Sequence, residues 1–154
     1  MRNALRLAFA FGLLALSLAC DPGHAFYPQG WRQDRDGWWS TDAPGFKVRL
    51  TASITLIGSH SLSPEPEITN TSPEPLTIER AELESNGSVF KATLPGQGQP
   101  QWRTVDVGKT VRLPLRFEFA RPVSEALGPT LQLRVFYRMG EHPPEVLEVT
   151  CARS

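Results

Sequence analysis

The chain holds two cysteines and three histidines in 154 residues, and it carries no net charge. Each shortage removes a class of function. Sixteen acidic and sixteen basic residues cancel. Phosphate binding requires a concentrated positive face, so nucleic acid is not an expected partner. His60 and His142 have no second histidine or cysteine three or four residues away, and His24 has only Cys20, four residues before it; a single such pair falls short of the ligand count of a metal site, so no metal site is expected. No Gly-x-Ser-x-Gly turn and no phosphate-cradling glycine loop occurs. Glu65, Glu67, Glu79, Glu82 and Glu84 fall in strand-like runs, where they read as a solvated face. Asp34 opens a stretch like a calcium loop. Its glycine, Gly37, stands at the fourth place instead of the sixth, and Gly45 occupies the twelfth place that needs a glutamate, so a surface turn is expected. With these motifs missing, no catalytic residue and no cofactor is assigned, and the chain is read as non-enzymatic.

Long apolar runs are also scarce. The one that exists, residues 7–18, follows Arg2 and Arg6. As a helix it spans roughly 18 Å, short of the ~30 Å hydrocarbon core of a bilayer. It is therefore a secretory leader and not a membrane span. The leader ends Leu16-Ser17-Leu18-Ala19-Cys20. This resembles a bacterial lipobox, with Ser17 at the place where that family usually has leucine. The resemblance implies that the Cys20 thiol receives a diacylglycerol, that cleavage precedes Cys20, and that a membrane is a partner through the lipid. Each buried methylene contributes ~0.8 kcal/mol, so two or three acyl chains hold firmly. Two alternatives stay open. Ser17-Leu18-Ala19 also suits an ordinary signal peptidase, leaving Cys20 free to form a disulfide with Cys151 that closes nearly the whole domain and contributes on the order of 4 kcal/mol. A cut after Ala25 would remove Cys20. The expected location is the bacterial cell envelope, lipid-anchored, with a soluble periplasmic or secreted form as the alternative.

Residues 1–19 are thus assigned to the signal peptide and 20–45 to a tether. The tether has linker composition but carries Phe26, Tyr27, Trp31, Trp38 and Trp39, and a purely solvated segment has little use for five aromatics. The expectation is that the part from Trp38 onward folds back over an edge or end of the domain. The alternative is an aromatic binding surface of Trp31, Trp38 and Trp39, joined by Trp102, for a glycan, a small ligand or an envelope protein.

What the chain has in quantity is punctuation. Fourteen prolines and twelve glycines suit short strands joined by turns. Residues 46–57 alternate with period two and are long enough to bend or switch sheets midway. Pro64 and Pro66 cannot donate to a ladder, which makes 61–70 an edge or broken strand. A turn follows at residues 70–73. Asn86-Gly87 predicts a two-residue type I′ hairpin, pairing Ser85 with Ser88, Leu83 with Phe90 and Glu82 with Lys91. Leu76 and Ile78 are out of phase with Ala81 and Leu83, which calls for a bulge near Glu79-Arg80. Val111, Leu113, Leu115, Phe117 and Phe119 share one inward phase, interrupted by Pro114 on the other. Two last strands cover 130–139 and 146–151. Turn signals every 8 to 12 residues across seven or eight strands describe an all-β antiparallel sandwich over residues 46–154, with an open barrel as the competing closure. The passage "EITNTSPEPLTIERAELES" resembles bacterial immunoglobulin-like and fibronectin-like envelope modules, which implies a binding or structural role.

Overall fold

The computed structural model describes residues 24–55, 59–93 and 104–154. Among them lie fourteen strand segments: β1 (His24–Pro28), β2 (Arg32–Gln33), β3 (Trp39–Ala43), β4 (Phe46–Leu50), β5 (Ser53–Thr55), β6 (Ser61–Leu62), β7 (Glu67–Asn70), β8 (Leu76–Ser85), β9 (Ser88–Lys91), β10 (Thr104–Val105), β11 (Thr110–Arg112), β12 (Phe117–Glu118), β13 (Thr130–Met139) and β14 (Glu145–Arg153). A single helical turn, Val123–Ala126, precedes β13. One sheet has the order β10-β8-β13-β14-β1-β5 with β9 beside β8, a second runs β11-β7-β4-β3-β2, and β12 pairs with β6. The result is an all-β, antiparallel, curled β-sandwich. Residues 46–154 hold eleven of the segments. They reduce to eight when β4 with β5, β6 with β7, and β11 with β12 are each counted as one run of sequence.

Alternation builds the first sheet. In β13 the buried positions are Leu131, Leu133, Val135 and Tyr137, because every second side chain points to the same face. The β8–β9 hairpin has the expected register, with Ser85 opposite Ser88, Leu83 opposite Phe90 and Glu82 opposite Lys91. Asn86 has φ of 51° and Gly87 of 72°, the two positive values a type I′ turn requires. The bulge also falls where the phase change placed it. Phe136 pairs with Arg80 and Tyr137 with Ile78, leaving Glu79 as the extra residue. This lets Leu76, Ile78, Ala81 and Leu83 all enter the core.

The second sheet grows from a ribbon that its prolines disguise. Ile68 pairs with Val111 and Leu62 with Phe117. Between these pairs Leu113 N–H donates to the Pro66 carbonyl at 2.9 Å, and Leu115 N–H to that of Pro64 at 3.2 Å. At the ends Phe119 N–H reaches the His60 carbonyl and Asn70 N–H that of Lys109, both at 2.9 Å. All of these contacts keep one register. Residues 60–70 and 109–119 are therefore a single antiparallel ribbon, cut into short segments because Pro64, Pro66 and Pro114 have no N–H to give. Leu62, Pro64, Pro66, Ile68 and Asn70 are buried in unbroken alternation.

Residues 46–55 do switch sheets. Phe46–Leu50 pairs with β3 and β7, and Ser53–Thr55 crosses to pair with β1. The N-terminal boundary needs correction. The segment expected as a tether is structural from His24 onward. In β1, Phe26 faces Arg153 and Pro28 faces Cys151 on one side, and His24 faces Thr55 on the other. Phe26 and Pro28 are buried. Linker composition concealed a five-residue strand whose partners lie far along the sequence.

Asn70 ties the layers together and is fully buried. Its Nδ2 donates to the carbonyls of Glu74 and Val105, both at 2.8 Å. Its Oδ1 accepts from Ser72 N–H at 2.9 Å and lies 2.8 Å from the Ser72 hydroxyl. Both donors of the amide are thus used, and its oxygen accepts from Ser72. Val105 belongs to the first sheet and Asn70 to the second, so one side chain fastens the turn at 71–75 to both. Asn70→Ala takes the amide partner from the buried Val105 carbonyl and the Ser72 N–H, while the Glu74 carbonyl keeps the Ser72 hydroxyl at 2.7 Å, and we expect a loss of about 2–4 kcal/mol, measured by urea denaturation. A loss within 0.5 kcal/mol, roughly the scale of an ordinary surface substitution, would contradict this role.

Candidate functional site

The three described tryptophans do not form one surface. Trp39 pairs with Leu50 and so takes the inward phase of β3. Its ring meets Tyr27 edge-on at 6.1 Å, and its indole N–H is buried with no hydrogen-bond partner among the described residues. Trp38, one residue earlier, has the opposite phase. Trp31 is half-buried and packs against the core. Trp102 lies outside the described residues. A sugar-stacking platform needs an open aromatic face, and Trp38 does not offer one. The Arg49 guanidinium lies over its ring at 4.7 Å, with that of Arg112 at 5.8 Å.

These two arginines sit in a charged lattice on the outer face of the second sheet. Arg49 bonds Asp34 at 3.0 Å, Arg112 bonds Glu67 at 2.8 Å, and Glu65 lies 3.8 Å from Arg112. Asp34 also shapes its own turn, since its Oδ1 accepts from the N–H groups of Asp36 and Trp38. Partial desolvation works against its ionisation, yet the Trp38 N–H, Arg49 and the Asp36 N–H together hold the carboxyl below its usual value. The carboxylate therefore serves the surface turn that the glycine placement indicated. On the first sheet Glu79 pairs with Arg138 at 2.7 Å, Glu82 with Arg80 at 3.2 Å and Glu84 with Arg134 at 2.6 Å. Glu82 thus takes the arginine on its own strand, although Lys91 stands opposite. All five carboxylates noted in the sequence have arginine partners. Exposed pairs of this kind contribute about 0–1 kcal/mol each, and they leave none of these five carboxylates unpaired.

The histidines are scattered. His60 Nδ1 lies 3.3 Å from the Phe119 carbonyl, and His142 Nε2 lies 3.6 Å from the Glu74 carboxylate. These places are at opposite ends of the 60–70 ribbon, about ten residues at ~3.3 Å each, so the two rings cannot share an ion. Among the described residues no group of three or more His, Cys, Asp or Glu is gathered to hold a metal.

Cys20 lies outside the described residues. Cys151 is a free, buried thiol on β14, opposite Pro28 and Leu131. Burial pushes it from the ordinary thiol value of 9.0 up to about 12, so it packs as a small hydrophobe and not as a nucleophile.

One feature was missed from sequence. A cleft of about 380 Å³ opens beside the hairpin, lined by Ser88, Phe90, Phe119, Arg121, Glu125 and Ala126 among others. The rings of Phe90 and Phe119 meet edge-on at 4.7 Å. They are brought together where residue Thr93 bridges to Arg116, a pairing between runs of sequence with no motif to announce it.

No protein-family model matches the chain. No curated protein matches it either.

The thiol supplies a test. Folded protein should not react with an aromatic disulfide reagent at neutral pH, and unfolding in urea should expose one reactive equivalent from Cys151. The raised value favours the neutral form in the folded state. Its contribution to stability is full below pH 9.0 and declines as pH rises from there towards about 12. Rapid labelling of folded protein at pH 7 would overturn the assignment.

Proposed function

We propose that the chain is an exported, non-enzymatic protein of the bacterial cell envelope, held to a membrane by lipid on Cys20, whose sandwich binds or braces another envelope component. The leader-and-cysteine pattern at residues 2–20 carries this reading. The position of β1 supports it. Cleavage after Ala25 would strip His24 and Ala25, which pair with Thr55 and Ile54, and would remove the Ala25 carbonyl that accepts from Ser154 N–H at 3.1 Å. Cleavage before Cys20 spares all of β1. The burial of Cys151 argues in the same direction, because a disulfide with Cys20 would require Cys20 to enter the core. The strand begins four residues after Cys20, a reach of at most ~14 Å, so the anchored domain would stand directly against the membrane surface with no intervening spacer.

Binding is favoured over catalysis because the five strand carboxylates are arginine-paired, Cys151 is buried, and His60 and His142 are far apart. A protein partner is favoured over a glycan because Trp31, Trp38 and Trp39 do not share an open face.

The test is the intact mass of the membrane-extracted chain. The expected product starts at Cys20 and carries a diacylglyceryl group, and Cys20→Ser releases the protein into the soluble fraction. A water-soluble chain two hydrogens lighter than its sequence would instead establish the Cys20–Cys151 disulfide and sink the anchor.

A further inference from the structure

The first sheet has a strand that its neighbour only half covers. β1 runs beside β14 from Phe26, opposite Arg153, to Pro28, opposite Cys151. A last bond, from Gln29 N–H to the Thr150 carbonyl at 2.7 Å, closes the pairing. The chain then turns at Gly30, whose φ is 75°, and no atom stands within 4 Å of the place a Cβ would take there. It re-enters the fold as β2, in the second sheet. Beyond Thr150, β14 continues to Glu145 with β13 on one side and, among the described residues, no strand on the other.

Alternation decides which groups that bare side presents. Arg153 N–H donates to the Pro129 carbonyl at 2.8 Å, towards β13, and Ser154 N–H to that of Ala25 at 3.1 Å, towards β1. The register with β13 is unbroken from Ala152 to Glu145. Odd-numbered residues of β14 therefore bond β13, and even-numbered ones point the other way. The N–H and C=O groups of Val146 and Glu148 thus have no strand to meet among the described residues. Both side chains are exposed, Val146 at 43%.

The same edge is acidic. Glu141, Glu145 and Glu148 are exposed and have no ion pair among the described residues. Arg134, opposite Glu148, is held by Glu84 at 2.6 Å, and Arg138 by Glu79 at 2.7 Å. Glu145 accepts only the Tyr137 hydroxyl, at 2.7 Å.

We infer that the bare length of β14 receives an extended segment of another protein, with an apolar residue beside Val146 and basic residues beside Glu145 and Glu148. Main-chain groups in a row are satisfied by an extended backbone and by little else, and alternate side chains supply the selectivity. The apolar residue rests on Val146 and on Phe136, which faces Val146 from β13. The basic residues bring the countercharge that β13 has already spent on Glu79 and Glu84. A second copy of the chain is the poorer occupant, because two β14 edges side by side set Glu145 and Glu148 of both copies along one seam. This inference rests on the reading of the chain as a binding module and is independent of the lipid on Cys20.

The test uses the full chain in detergent and two capped synthetic peptides, Val-Lys-Val-Val-Lys and Val-Glu-Val-Val-Glu. In antiparallel register the charged residues of each oppose Glu148 and Glu145. Hydrogen–deuterium exchange of single amides is read by NMR. The basic peptide should slow Val146 and Glu148 by roughly tenfold or more, saturably and less so in high salt. It should leave Leu147 and Val149 unchanged, since β13 already holds their N–H groups. The acidic peptide should have no effect. Val146→Pro removes an N–H that β13 does not use and should abolish the slowing at Glu148. The double substitution Glu145→Gln with Glu148→Gln leaves the main chain intact and should erase the preference for base. If neither peptide slows these amides at millimolar concentration, or if both act equally, the inference fails. It also fails if Val146 and Glu148 are protected without peptide, and protection that grows with protein concentration would make the occupant a second copy. Repeating the measurement on Cys20→Ser separates the two proposals, since release from the membrane should leave the exchange result unchanged.

Discussion

The sandwich depends on a carboxamide that has no water to turn to. Asn70 is fully buried between the layers, and its amide is satisfied by the chain alone, through Glu74, Val105 and Ser72. The main chain of the same residue continues the ribbon, donating to Lys109 and accepting from Gly108, both at 2.9 Å. The turn at 71–75, the last pair of the proline-broken ribbon and the short strand β10 are therefore set by one residue. Hydrophobic burial presses the two sheets together without choosing how they align. The directed bonds of Asn70 supply that choice at one end of the molecule, and the bridge from Thr93 to Arg116 supplies it at another place.

Proline has a parallel part in the architecture. Pro64, Pro66 and Pro114 interrupt hydrogen bonding without interrupting register, so the ribbon accepts bonds where it cannot return them. Leu115 N–H lies 2.9 Å from the Leu113 carbonyl as well as near that of Pro64, a tight three-residue turn centred on Pro114. A strand of this kind is a poor template for a stray neighbour. Other borders are blunted by brevity, as in β2 and β10 with two residues each. Along β9 the deterrent is the exposed charge of Lys91.

Much of the body was legible because its signals are local. Asn86-Gly87 fixed a turn type, the turn fixed a register, and the phase change at Glu79-Arg80 located the extra residue. The sheet switch after Leu50 followed from the length of a single alternating run. The N-terminal strand was illegible for the opposite reason. Nothing between residues 24 and 28 distinguishes a linker from a strand until Cys151, Ala152 and Arg153 are placed beside it. The tryptophans were half legible. Adjacent residues in a strand face opposite ways, which already separates Trp38 from Trp39, but the covering of Trp38 by Arg49 requires the cross-strand geometry of the second sheet. The cleft at Phe90 was legible only in part, since the hairpin gives β9 but not the residues facing it.

The pairing of β1 with β14 also bears on when the molecule can finish folding. A ribosome delivers His24–Pro28 early and Glu145–Arg153 late, so the side of β1 away from β5 waits unpaired while nearly all the rest is synthesised. Contacts this distant in sequence are slow to form. The first sheet therefore closes around its earliest strand only when its last one has arrived, and a chain stopped short of residue 145 would leave that edge of β1 bare.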